Sequence, residues 1–511
     1  MKKILTIFLF ILCFLTNGAW AQSVSPKREL RACWIATVAN IDWPSKKGLS
    51  MQEQQLEYIR LLDDQKAMGM NAVIVQVRPM ADTFYPSQRE PWSEYLSGIQ
   101  GIGPEYNPLI FMVEEAHKRG MEFHAWFNPY RAKQSKNAHV SPYHPIHQHP
   151  EWFVTYGGKT YYNPGEPAAQ EFVLNSIMEV VRTYDIDAVH MDDYFYPYRI
   201  AGEEFPDSHS FETYGGNFNS IEDWRRDNVN HFVKEMYDRI KAEKPYVKYG
   251  ISPFGVWRNQ DRDARGSATR AGQTNYDDLY ADVLLWMKNG WLDYVAPQLY
   301  WYIGQSAADY EKLVYWWQMQ EFGRHIYIGH AAYKVGTEGP WSDMNEVPKQ
   351  IALNRKLEGI EGSMYFSSKS FREGAKPLAE NFKRQIYGKT ALIPEMEWID
   401  YPTPKSPRIK SLERQNDGKL QLEISSPTFS NAKYYVIYRF EGDFIGNLED
   451  PSHILATINR DIYPLSRYLD VTAEKGKTYT YVVTAVNRLH LESECSDPVR
   501  LKVKRKKVIY L

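Results

Sequence analysis

From residue 30 to residue 372 the chain repeats one pattern: a short apolar run, a loop, then a stretch with apolar residues three and four positions apart. The runs are RACWIAT (31–37), NAVIVQV (71–77), EFHAWF (122–127), IDAVHM (186–191), KYGISPF (248–254), DYVAPQLYW (293–301), HIYIGHAAY (325–333) and EGSMYF (361–366). Between them, QEQQLEYIRLLDDQKAMG and PLIFMVEEAHKRG have helical spacing and end in glycine. SIEDWRRDNVNHFVKEMYDRIKAEK opens on Ser220, an N-cap, with Asp223 three residues on. Near-continuous apolar runs suit strands covered on both faces. Eight strand–helix alternations predict parallel strands with helical crossovers, and eight units favour a closed (β/α)8 TIM barrel over an open doubly wound sheet. No glycine-rich phosphate fingerprint follows the first run, which argues against a dinucleotide or P-loop fold.

Past residue 388 the pattern changes. ALIPEMEWIDYPTPKSP is proline-spaced and predicts a linker over 389–406. KLQLEI, KYYVIYRF, HILATI, SRYLDV, TYTYVVTAV and VRLKVK then alternate with turn residues, the pattern of a small all-β sandwich over 407–505. Two of these stretches, YYVIYRF and TYTYVVTAVNRLHLES, resemble fibronectin type III strands. The basic tail KRKKVIYL reads as a solvated strand end.

At the other end, MKKILTIFLFILCFLTNGAWA (1–21) has a basic start, an apolar middle and an A-x-A close, so it reads as a signal peptide cut after Ala21. Leu12 stands before Cys13 where lipid attachment needs a small residue. The first domain is then expected over 22–388. Without Lys2 and Lys3, 59 basic residues face 63 acidic ones, a balance unlike that of a nucleic-acid binder. No second apolar run approaches the roughly 18 residues that span a bilayer. A secreted or periplasmic protein with no transmembrane segment in its mature chain is expected. Cys33 and Cys495 fall in different domains and read as buried free thiols. Without CxxC or HExxH, neither a metal site nor a cofactor is expected.

Composition bears on function through the 37 tyrosines and 15 tryptophans, which crowd the ends of the apolar runs. Such rings stack on sugar faces while their polar tips stay hydrated. In barrels of this kind the chemistry sits at the C-terminal strand ends. The second run is followed by Arg78, Asp82 and Tyr85; the third by Asn128, Tyr130 and Arg131; the fifth by Trp257 and Arg258; the sixth by Gln298, Tyr300 and Trp301. After the last two come His330, Tyr333, Lys334 and Lys369. The fourth run ends in DIDAVHMDDYFYPY, where Asp192 and Asp193 are roofed by Tyr194, Phe195, Tyr196 and Tyr198. Acids ringed by aromatics, amides and arginines describe a polysaccharide cleft.

Hydrolysing a glycosidic bond takes one acid for the leaving oxygen and one carboxylate for the sugar or a water. Neighbouring residues of a continuing strand face opposite ways. The doublet is therefore expected to place one carboxylate in the mouth, with a second acid from Asp82, Glu203, Glu204, Asp207, Asp261 or Asp263. His124 and His190 read as core histidines, and YHPIHQHP (143–150) as a surface loop.

The stretches RACWIATVANIDWPS, QVRPMADTFYPS, HAWFNPYR, YYNPGEP, DAVHMDDYFYP, ISPFGVWRN and DYVAPQLYW, over about residues 28–380, closely resemble the bacterial glycosyl-hydrolase-like family ten. The resemblance implies a (β/α)8 barrel with glycoside hydrolase activity; some members cleave peptidoglycan strands stripped of peptides. It carries catalysis onto Asp192 and Asp193, with Arg78, Asp82, Asn128, Arg131, Trp257, Arg258 and Gln298 in the cleft. Related barrel glycosidases often keep a proton donor after the sixth strand, where this chain has Gln298. The expectation is an exported hydrolase of a cell-envelope polysaccharide, with peptide-free peptidoglycan as substrate. The alternatives are a non-catalytic glycan-binding barrel and, disfavoured by scattered histidines, a metal-dependent deacetylase. The C-terminal domain is expected to space the enzyme or dock it on the polymer.

Overall fold

The computed structural model describes residues 25–461, 465–505 and 507–511. The expected signal peptide and Cys13 lie outside them.

Each of the eight apolar runs coincides with a strand to within a few residues: β1 (Leu30–Ile35), β2 (Ala72–Arg78), β3 (Glu122–Phe127), β4 (Ala188–Met191), β5 (Lys248–Ile251), β6 (Tyr294–Val295), β7 (His325–His330) and β8 (Ile360–Tyr365). They pair in parallel and in sequence order, and β8 returns to β1 with Leu30 opposite Gly362 to close the barrel. The β6 strand is shorter than its run because Pro297 has no N–H to give the ladder.

Alternation divides the strands between two cores. Ala32, Trp34, Ala72, Ile74, Trp126, Ala188, Tyr294, Tyr327 and Met364 fill the barrel interior. Ile35, Val73, Val75, Phe123, Val189 and Met191 pack outward under the helices. Tyr294 occupies the centre, its hydroxyl 3.0 Å from His124 Nδ1 and 2.9 Å from His190 Nδ1, so both histidines are satisfied core groups. Residue 250 must be glycine here: a Cβ would meet the Tyr294 ring at 2.0 Å.

The crossover helices follow local signals. Ser50 and Glu53 form a capping box before Met51–Ala67. Ser220 Oγ accepts from Asp223 N at 3.1 Å and opens Ile221–Glu243. The loop after β3 holds a small antiparallel sheet that the run pattern did not announce: Arg131–Lys133, Lys159–Tyr162 and Phe153–Tyr156. YHPIHQHP contributes short 3-10 turns there.

The six C-terminal runs also become strands. One sheet joins Arg408–Arg414, Leu420–Ser425 and Ser466–Asp470; the other holds Ile454–Asn459, Tyr434–Glu441, Thr478–Val486, Val499–Val503 and Val508–Tyr510. All pairs are antiparallel, and Leu422, Ile424, Ile437, Tyr481, Val483 and Leu501 share the core between the sheets.

This unit docks on the end of the barrel where the strands begin. Glu122, first in β3, takes Lys248, first in β5, and lies 2.6 Å from His490 Nε2. Lys433 pairs with Asp187, and Arg488 reaches Asp185 at 2.7 Å. Among the described residues, the opposite end is left open. Cys33 is a buried free thiol and Cys495 a partly buried one. Among the described residues, no helix is long and apolar enough to cross a membrane.

Candidate active site

The open end holds a cleft of about 360 Å³ to which every strand, or the loop after it, contributes. Trp34, Gln76 and Trp126 come from β1 to β3, and Arg131 follows β3. Asp192, Tyr194 and Tyr198 follow β4, Ser252 follows β5, and Gln298 and Tyr300 follow β6. Tyr333 and Phe366 follow β7 and β8.

The fourth strand ends at Met191, one residue before the doublet; Asp192 keeps its inward phase and enters the cleft lining, while Asp193 does not, so one carboxylate of the doublet faces the mouth as expected. Asp192 lines the cleft at 7% exposure; its Oδ2 accepts from Trp126 Nε1 at 3.3 Å and its Oδ1 from Tyr194 N at 3.4 Å. Asp193, 2% exposed, accepts from the Tyr198 hydroxyl at 2.5 Å, and its Oδ1 has no partner among the described residues. Burial first, and the neighbouring Asp193 charge second, push Asp192 up to about 7 against the pull of Arg131. Burial pushes Asp193 up to about 6, opposed by the Tyr198 hydroxyl and the Gln298 amide. Two acids in one dry corner release their protons in turn, so near neutrality the pair holds one proton donor and one carboxylate.

The cleft gathers Asp192, Arg131, Tyr194, Gln298 and Tyr300, with Asp193 directly behind. The other expected site residues stand elsewhere, each for a physical reason. Arg78 is fully buried and clamps Glu90 through two 2.6 Å bonds while donating to the Pro129 carbonyl at 3.0 Å. Asp82 is fully buried with Gln100 on its Oδ2 at 3.1 Å, and burial raises it to about 7 behind the wall. Tyr85 packs edge-on against Tyr184, Tyr130 on Phe232, and Tyr196 between Phe205 and Tyr280. Asn128 serves the turn, its Oδ1 accepting from Arg131 N at 2.9 Å.

Trp257 is buried against Trp316 with its N–H on Asp282, and Arg258 is held by Asp277 at 2.9 and 2.8 Å. Trp301 packs edge-on against Phe254 outside the lining. Of the loop acids proposed as donors, Glu203 and Glu204 are exposed away from the cleft, Asp207 is clasped by Arg225, and Asp263 by Arg258 and Arg265. Asp261 is exposed.

Sequence reasoning missed Trp34, Gln76 and Trp126. They sit inside their runs, and the signal was there: all three lie in phase with the inward positions of their strands. Tyr198 was visible only as part of the aromatic roof.

A closed parallel barrel with an acid pair under aromatic rings at its C-terminal mouth has the architecture of a barrel glycosidase. Residues 29–343 match the model of the Glycosyl hydrolase-like 10 family, and the chain belongs to that family. It is 50% identical to Glycosyl hydrolase YngK of Bacillus subtilis (strain 168) over 500 residues, 96% of this chain and 97% of that one. It is 38% identical to Glycosyl hydrolase DigH of Escherichia coli (strain K12) over 394 residues, 72% of this chain and 89% of the relative. Among solved structures, the PgaB (BpsB) glycoside hydrolase domain from Bordetella bronchiseptica matches at TM-score 0.45 and 11% identity, over 69% of this chain and 98% of that one. The chain is a glycoside hydrolase.

Proposed function

We propose that this enzyme is exported by its first 21 residues and hydrolyses a cell-envelope polysaccharide, peptide-free peptidoglycan strands being the substrate. The family resemblance of the strand-end motifs supports the substrate, and the leading apolar segment supports export. One observation carries the chemistry: the Asp192–Asp193 pair is buried at an aromatic-lined cleft, where burial pushes both acids up towards neutrality.

Asp192 is the proton donor. It lines the cleft and has only two long hydrogen bonds to favour its charged form. Asp193 is the carboxylate, stabilised by the short bond from Tyr198. Protonated Asp192 gives its proton to the leaving glycosidic oxygen as the C1–O bond breaks, the bonding electrons going to that oxygen. Ionised Asp193 balances the positive charge that builds on the sugar ring. Water then adds to C1, and its surplus proton returns to the pair. Tyr194, Tyr198 and Tyr300 offer stacking faces that hold the sugar during these steps.

In this reading residues 22–388 are the catalytic domain, 389–406 the linker and 407–505 a fibronectin type III-like sandwich. Its seat at the strand-start end leaves the cleft open to a long polymer. Digestion of purified peptidoglycan, with and without stem peptides, followed by mass analysis of the products, tests the reading. Sugar release is expected from stripped strands and is abolished by Asp192→Asn. No release from stripped strands, with turnover on another envelope glycan, would replace the substrate.

A further inference from the structure

We propose that Arg131 is a specificity residue that binds the free carboxylate of the lactyl ether on a peptide-stripped strand. The inference rests on the substrate reading above and deepens it.

Arg131 is the single cationic residue lining the cleft among the described residues. Buried arginines elsewhere are spent on acids: Arg78 on Glu90, Arg225 on Asp207, Arg355 on Glu29. The Arg131 side chain makes no hydrogen bond or ion pair with any described residue, and its Nε is shielded from water without a partner.

The residue is also held in place. Its backbone N donates to Asn128 Oδ1 at 2.9 Å, it opens the Arg131–Lys133 strand opposite Tyr161, and its guanidinium lies 4.9 Å from the Tyr194 ring centroid. Stacking on an aromatic face fixes the plane of the guanidinium fork. A fixed planar fork matches a carboxylate through two parallel bonds.

In a strand that still bears peptide, the lactyl carboxylate is tied up as an amide. The charge that Arg131 would bind is then missing, and the peptide occupies its place. Removing the peptide creates the anion. Its binding also neutralises the cation that pulls Asp192 down, so the donor keeps its proton when such a strand is bound.

The test compares kcat/KM on stripped strands with free lactyl carboxylates and on the same strands after amidation of those carboxylates. The native enzyme is expected to favour the free acid by about 10- to 100-fold, the worth of a charge-assisted pair. In Arg131→Gln that ratio collapses to about one, and Arg131→Lys restores part of it. A ratio near one in the native enzyme overturns the proposal while leaving the peptidoglycan reading intact. An Arg131→Gln loss equal on both substrates also overturns it, because the arginine then acts on the acid pair alone. If the native enzyme cleaves neither strand, the peptidoglycan reading fails and this proposal fails with it.

Discussion

Asp192→Asn separates catalysis from stability in one experiment. Burial and the neighbouring acid hold Asp192 up at about 7 against its ordinary 3.8. The folded chain therefore binds a proton that the unfolded chain has released, and stability falls as pH rises through that interval. Three units at about 1.4 kcal/mol each give a ceiling of about 4 kcal/mol above pH 7, and sharing between coupled acids reduces it to roughly 2 kcal/mol. At pH 5 only about a third of the penalty has developed, because most of the window from 3.8 to about 7 still lies above that pH. Asparagine removes the titrating charge. Thermal unfolding of native and variant enzyme at pH 8 should show the variant more stable by a few degrees, about 1–2 °C per kcal/mol for a chain of this size. At pH 5 the gap should shrink by more than half. Turnover should fall about 100- to 10,000-fold at both pH values, the worth of a positioned acid. A variant less stable at pH 8, or equally stabilised at both, would refute a strained acid pair in this corner.

Further substitutions probe other parts of the argument. Tyr198→Phe removes the 2.5 Å bond that favours ionised Asp193; the acidic limb of the pH–rate profile should move up and kcat drop about tenfold, read from initial rates across pH 4–9. Arg78→Ala leaves Glu90 buried without its partner; a loss of about 3–5 kcal/mol is expected in urea unfolding, and KM measured on any surviving fold should stay near native. Gly250→Ala drives a Cβ into the Tyr294 ring; the denaturation midpoint should fall by the equivalent of about 1–3 kcal/mol.

The sequence by itself determined the barrel, because strand and helix periods are local properties of a chain. Eight apolar runs gave eight strands, and the order of runs gave the order around the barrel. It also located the acid doublet, since two carboxylates at the end of a buried strand have no packing role. Only the tertiary structure decided which strand-end residues reach the cleft. Arg131 and Arg78 each follow a β-run at the same end of the barrel, yet one lines the cleft and the other is locked to Glu90. Trp257 and Tyr196 are aromatic like the cleft-lining Tyr194 and Tyr300 but turn into the wall. Loop direction after a strand is set by partners 12 to 25 residues further on, such as Glu90, Asp277 and Asp282, and strand or helix spacing does not encode those meetings. Past the end of β4 at Met191, Asp192 keeps the inward phase and lines the cleft, while Asp193 stays out of the lining and takes the Tyr198 hydroxyl, a partner that only the folded loop supplies.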